Sequence, residues 1–216
     1  MLQCVIFDMD GTLLDTERVT MPLWIAAGKA LGYEIQENFV LSILGTNRPY
    51  YEKQLTCTYG SDFPLQQFRQ RIADLTENYY ATHPVPVKAG AKELLQKLKA
   101  RCIKTALATS SDEKETERNL AGAGLQDAFD VVVTGDMIAR SKPHPDIFCK
   151  AMQLAGSTPE TSVVLEDSHN GFLAGIAAGC RTFLVPDLIS PPPADTARAT
   201  GVLERLSDLI PLLPLL

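Results

Sequence analysis

Beyond residue 90 the chain alternates short apolar runs with stretches of helical spacing, and nothing else in the sequence limits the fold so strongly. The pattern predicts helix 90–100, strand 103–108, helix 113–122, strand 131–134, helix 145–155, strand 162–165, helix 170–178 and strand 181–185. Runs such as Val131-Val132-Val133 and Val163-Val164-Leu165 are apolar at every position, not every second one. A strand of that kind is buried on both faces, which calls for a parallel sheet between two layers of helices. The run Gln3–Phe7 is rich in β-formers and ends in the turn cluster Asp8-Met9-Asp10-Gly11-Thr12. It reads as a further strand of the same sheet, delivering carboxylates at its C-terminal tip.

Between residues 16 and 80 the period changes. Amphipathic helices are expected near 17–31, 37–44, 48–58 and 64–80, with no strand among them. Thr82–Val87 then carries two prolines in six residues, as a linker does. The expected organisation is therefore a catalytic core of residues 1–15 and 87–216, with residues 16–86 inserted as a helical cap. Such an insertion sits over the strand ends where α/β folds bind ligands. The tail Leu209–Leu216 is apolar but only eight residues long and broken by Pro211 and Pro214, well short of the roughly 20 residues that span a bilayer. It is expected to pack on the domain, and Pro191-Pro192-Pro193 to form a surface loop.

Twenty Lys and Arg against 26 Asp and Glu give a net charge of −6, which repels nucleic acid and anionic lipid surfaces. A small anionic substrate is not excluded, because a few local cations or a metal can hold it. The five cysteines (Cys4, Cys57, Cys102, Cys149, Cys180) are widely spaced and form no metal-binding cluster. They fit a reduced cytoplasm and are expected to be mostly buried small hydrophobes. The run Leu2–Phe7 lacks a basic leader and ends on Asp8, so no secretory signal is expected.

The residues with chemistry lie at strand ends. Asp8-Met9-Asp10-Gly11-Thr12-Leu13-Leu14-Asp15 follows the first strand, Thr109-Ser110 the second, and Glu166-Asp167 follows Val163-Val164-Leu165; Lys142 stands in Ser141-Lys142-Pro143-His144-Pro145. This ordered set resembles the four motifs of the haloacid dehalogenase superfamily, in particular its phosphatases and phosphomutases, and covers essentially the whole chain. The resemblance implies a Rossmann-like core. It also implies that Asp8 is the nucleophile and that Mg²⁺ is held by Asp8, the backbone carbonyl of Asp10 and Asp167, with Glu166 as ligand or just behind. Lys142 would neutralise the transferring phosphoryl group and Thr109 donate to it. Asp10 would protonate the leaving oxygen and later deprotonate water. Its presence separates the chain from the superfamily's haloalkanoate dehalogenases and ion-pumping ATPases.

Each residue also has a plainer reading. Asp8 and Asp10 are common turn formers. Asp15, next to Thr16 before a helix, is as readily a cap as a catalytic group. Ser110 and Ser168 fit caps as well as substrate contacts. His83, His144 and His169 lack ligand spacing, and Tyr50, Tyr51, Tyr79 and Tyr80 are expected to pack among the cap helices.

The insertion is similar to the small helical cap of the β-phosphoglucomutase-like branch. Gly45-Thr46-Asn47-Arg48 resembles the turn that offers an arginine to a substrate's distal phosphate, and Thr16 matches a hinge position. Arg48, Thr16, Ser110 and Ser111 are thus the candidate substrate-binding residues. Two features depart from the mutase: Thr20 replaces its hinge histidine, and Asp112-Glu113 replaces a Lys-Asn pair that holds a second phosphate. Two anions repel a phosphate. The expectation is a monomeric, Mg²⁺-dependent phosphatase of a small phosphorylated metabolite such as a sugar or polyol phosphate. The alternatives are a β-phosphoglucomutase-type hexose phosphomutase and, last, a silent binding protein, which should have lost one of the motif residues that are all intact here.

Overall fold

The computed structural model describes all 216 residues. Six strands form one sheet: β1 (Cys4–Phe7), β2 (Lys104–Ala108), β3 (Val131–Val133), β4 (Ser162–Glu166), β5 (Arg181–Leu184) and β6 (Gly201–Val202). Their order is β3-β2-β1-β4-β5-β6, and every pair is parallel. Helices α1 (Thr16–Ala30), α2 (Glu37–Ile43), α3 (Arg48–Tyr59) and α4 (Leu65–Tyr80) follow β1, while α5 (Ala91–Ala100), α6 (Glu113–Ala123), α7 (Asp146–Ala155), α8 (His169–Ala177) and α9 (Pro193–Arg198) alternate with the later strands.

The unbroken apolar run of β4 is explained by the two faces of the sheet, but that of β3 is not buried as expected: β3 lies at the sheet edge, where Val133 is buried and Val132 is exposed. Cys4 and Ile6 point into a cluster with Ile147, Phe148 and Ala151 of α7 and Ala174 of α8. Val5 and Phe7 point the other way, towards Leu94 and Leu98 of α5 and Leu120 of α6. The apolar tail belongs to this second layer. Residues Leu206–Leu215 form a 3-10 helix whose Leu206, Leu209 and Leu213 are buried there, each worth roughly 2 kcal/mol of apolar transfer.

Helices α1–α4 gather a buried cluster of their own, with Ala27, Val40, Leu55 and Phe68 at its centre. Trp24 meets Phe68 and Tyr51 edge to face, at centroid distances of 5.4 and 5.1 Å, the favoured geometry for aromatic pairs. The two chain crossings between these helices and the sheet lie side by side. The Asp15 amide donates to the Pro86 carbonyl and the Lys88 amide to that of Leu13, both at 2.9 Å. Asp187, in the loop after β5, accepts from Arg18 at 2.9 Å and from Lys88 at 2.7 Å, so one buried carboxylate ties both crossings to the core.

Several expectations need correction. Only Cys4 and Cys180 are buried; Cys57, Cys102 and Cys149 are exposed, and all five are free. Tyr50 is exposed rather than packed. Asp15 occupies the N-cap position of α1 without capping it: its backbone (φ −89°, ψ 49°) lies outside the extended region from which a cap side chain reaches back, and it pairs instead with Arg18 at 3.1 Å. The triple-proline segment is not wholly loop, since Pro193 opens α9, where a missing amide costs nothing. The two-residue β6 was not anticipated, being too short to show a period.

Candidate active site

The chemistry-bearing residues meet because β2, β1 and β4 are neighbours in register, with Phe7 opposite both Leu107 and Leu165. The residues at and just past their C-terminal tips are Thr109, Asp8, Glu166 and Asp167. Backbone bonds fix the tips: the Asp8 amide donates to the Leu165 carbonyl and the Thr109 amide to that of Val133, each at 3.0 Å.

Lys142 enters from the loop before α7 and is buried. Its Nζ donates to Asp8 Oδ1 at 2.5 Å, Glu166 Oε1 at 2.6 Å and the Ala108 carbonyl at 3.2 Å, which uses all three ammonium donors. Glu166 is wholly buried, and its second oxygen accepts from the backbone N–H and hydroxyl of Ser168, both at 3.0 Å. Ser168 in turn caps α8, accepting from the Gly171 amide at 3.1 Å. A Cβ on Gly171 would lie 1.7 Å from Glu166 Oε1, so only glycine lets α8 close on this carboxylate.

Asp167 accepts from Thr12 Oγ1 at 2.9 Å. The turn that carries Asp10 presses against it: Gly11 has φ +82°, and a Cβ there would lie 2.2 Å from Asp167 Oδ2. Asp10 itself accepts from Thr16 Oγ1 at 2.5 Å on one oxygen and from Ser111 Oγ at 3.0 Å on the other. Thr16 and Ser111, expected to touch substrate, thus hold the Asp10 carboxyl. Thr109 Oγ1 accepts from the Ser111 amide at 3.1 Å, which leaves its hydroxyl hydrogen free to donate.

Asp8, Asp10, Thr109, Lys142 and Asp167 line a cavity of about 510 Å³, together with Ser110, Ser111, Glu17 and the turn Gly45–Arg48 from the insertion. That turn sits close on the core, because a Cβ on Gly45 (φ +68°) would lie 2.7 Å from Ser168 Cβ. Thr16 and Glu166 stand behind the wall. Arg48 reaches Asp112 across the rim, Nη2 to Oδ2 at 3.7 Å.

Burial pushes the Asp8 carboxyl up, to about 8, with Lys142 pulling the other way. It also raises Asp10 and Asp167. Burial alone would lower Lys142, but the Asp8 and Glu166 carboxylates outweigh it and leave the ammonium firmly charged. Oxygens of Asp8, Glu166 and Asp167 all lie within 4.8 Å of one another, and the one ammonium there pairs with Asp8 and Glu166 only. A buried set of hard oxygen donors with surplus negative charge fits a hard divalent cation.

Two residues of the site escaped sequence reasoning. Glu17 looks like an ordinary first-turn acid of α1, yet it is buried at the cavity wall, and burial followed by repulsion from Asp10 raises its carboxyl to about 8. Gly171 gives no local signal beyond being a glycine in a helix.

The fold and the site together define a phosphatase built on a parallel α/β sheet. The chain belongs to the haloacid dehalogenase-like hydrolase family, whose model matches residues 5–185. It is 30% identical over 178 residues to the phosphorylated carbohydrates phosphatase of Thermotoga maritima, covering 82% of each chain. The crystal structure of CbbY from Rhodobacter sphaeroides in complex with phosphate superposes with a TM-score of 0.83 at 26% identity, over 97% of this chain and 96% of that one. A second CbbY structure, of a mutant with xylulose-(1,5)bisphosphate, gives 0.83 at 25% over the same shares. No helix is long and apolar enough to cross a membrane.

Proposed function

We propose that this protein is a Mg²⁺-dependent phosphomonoesterase that hydrolyses a small phosphorylated metabolite, a sugar or polyol phosphate, through a phosphoryl group carried on Asp8. One observation carries this reading: two buried carboxyls of the same cavity have different partners. Asp8 is paired with an ammonium, whereas Asp10 is held by the hydroxyls of Thr16 and Ser111. The ammonium favours the ionised, nucleophilic form of Asp8, whereas Asp10 bonds no cation and its burial favours the form that carries a proton.

Lys142 engages Asp8 Oδ1, so Oδ2 is the oxygen left to attack phosphorus. As that bond forms, the bond from phosphorus to the alcohol oxygen breaks, and Asp10 gives that oxygen its proton. Asp10, now a carboxylate, takes a proton from water as the water attacks the phosphoryl group. Phosphate leaves and the Asp8 carboxylate returns. The Thr109 hydroxyl is free to donate to the phosphoryl oxygens, and the Lys142 charge, held on Asp8 and Glu166, lies beside them, where charge stabilisation dominates this chemistry. Asp8, Asp167 and the Asp10 carbonyl would hold Mg²⁺, with Glu166 behind them committed to Lys142 and Ser168. Bound there, the ion supplies positive charge to two anions that must meet.

Residues 16–86 act as a cap over this cavity, contributing Arg48 and Glu17 to the wall around the alcohol. The mutase alternative needs a hinge group directed at the acid. Thr20, at that position, instead bonds back to the Glu17 carbonyl of its own helix at 3.4 Å, which supports hydrolysis. Five free cysteines fit a reducing cytoplasm.

The test is phosphate release from a panel of sugar, polyol and nucleotide phosphates, with Mg²⁺ and with EDTA. Mg²⁺-dependent release concentrated on sugar or polyol phosphates is expected. Conversion of β-glucose 1-phosphate to glucose 6-phosphate on adding a bisphosphate, without phosphate release, would make the protein a mutase.

A further inference from the structure

We propose that the Arg48–Asp112 ion pair makes this cavity select phosphomonoesters whose alcohol carries no second anionic group. The inference rests on the phosphatase reading and narrows its substrate class.

Arg48 opens α3 in the insertion, and Asp112 is the N-cap of α6 on the sheet side. The cavity wall holds two cations, Lys142 and Arg48. Lys142 is already taken by Asp8 and Glu166, so Arg48 is the one a second anion could reach, and Asp112 occupies it at 3.7 Å. Asp112 is itself held in place, since its other oxygen accepts from the Glu115 amide at 2.9 Å. Asp136, whose carboxyl the Thr134 hydroxyl holds below its usual range, adds further negative charge to the same wall.

A carboxylate or second phosphate seated here must displace Asp112 from Arg48 and enter the field of these acids. An alcohol bearing hydroxyls pays no such penalty, because carboxylates accept hydrogen bonds from O–H groups. Closure over a neutral alcohol also keeps the pair intact, joining insertion to core across the substrate. Both side chains are about half exposed, at 58% and 48%, so the effect is screened. One charge pair near 4 Å in water-like surroundings corresponds to roughly a fivefold change in binding.

The experiment uses the full-length Asp8→Asn protein with Mg²⁺, which should bind without turnover, and titrates two matched pairs by calorimetry. These are glycerol 3-phosphate against 3-phosphoglycerate, and glucose 6-phosphate against glucose 1,6-bisphosphate. We expect the singly charged-group member of each pair to bind about tenfold more tightly or better. Adding Asp112→Asn, which keeps an N-cap side chain, should narrow that gap about fivefold, and adding Arg48→Met to this variant should restore it. Equal affinities within both pairs, preference for the bisphosphate, no binding of any of the four, or a gap that Asp112→Asn leaves unchanged would overturn the proposal. Phosphate release by the wild-type protein is measured on the same four compounds. A selective binder that releases no phosphate from any of them would leave the charge filter standing and remove the phosphatase reading alone.

Discussion

The hydroxyl of Thr16 donates to Asp10 Oδ1 at 2.5 Å, so the first residue of α1 grips the acid at the tip of β1. The insertion therefore touches the chemistry directly. Thr16→Val removes this bond while keeping the shape, and a hydrogen bond to a charged group is worth about 1.5–3 kcal/mol. A fall in kcat of about ten- to a hundredfold is expected, with Thr16→Ser close to wild type. Steady-state kinetics with p-nitrophenyl phosphate measures it, and an unaltered kcat in Thr16→Val would show that Ser111 alone holds Asp10.

Asp8→Asn leaves Lys142 its partners Glu166 and the Ala108 carbonyl, so the fold should survive. Turnover should fall about a thousandfold or more, as for loss of other catalytic nucleophiles. Circular dichroism alongside phosphate release checks both statements, and an active Asp8→Asn protein sinks the mechanism.

If Asp8 and Asp167 hold a divalent cation, Mg²⁺ should stabilise the folded chain even without substrate. Binding at a hundred times the dissociation constant adds about 2.7 kcal/mol. Tm should rise with Mg²⁺ and return on adding EDTA, and Asp167→Asn should abolish the rise. A Tm indifferent to Mg²⁺ in the wild type would count against a metal at this cluster.

Gly171→Ala places a methyl group where Glu166 Oε1 stands, 1.7 Å away. Either α8 shifts or Glu166 lets go of Lys142. Overpacking of this kind costs about 1–3 kcal/mol, and both routes disturb Lys142, so stability and kcat should fall together. Urea titration and phosphate release on one preparation test the linkage.

Most of the fold was legible because it follows from local period. Runs apolar at every position gave β3 and β4, helical spacing gave α1–α8 to within a residue or two, and the change of period after β1 set α1–α4 apart from the alternating elements. Asp8, Asp10, Thr109, Glu166 and Asp167 were legible too, since each stands next to a strand whose end could be read, whereas Lys142 enters from a loop before α7 and showed only as a local motif.

What the order of residues could not reveal was who bonds to whom across the molecule. Thr16 and Ser111 stand 95 positions apart, yet share one carboxyl. Asp112, which by its charge alone repels a phosphate, turns out to hold the arginine that would attract one. Glu17 and Gly171 matter only because α1 and α8 bring them against Asp10 and Glu166. Backbone period and side-chain type act within a few residues, and one sequence suffices to read them. Pairing of buried charges depends on which strand ends are neighbours, a choice that only the packing of the whole sheet makes.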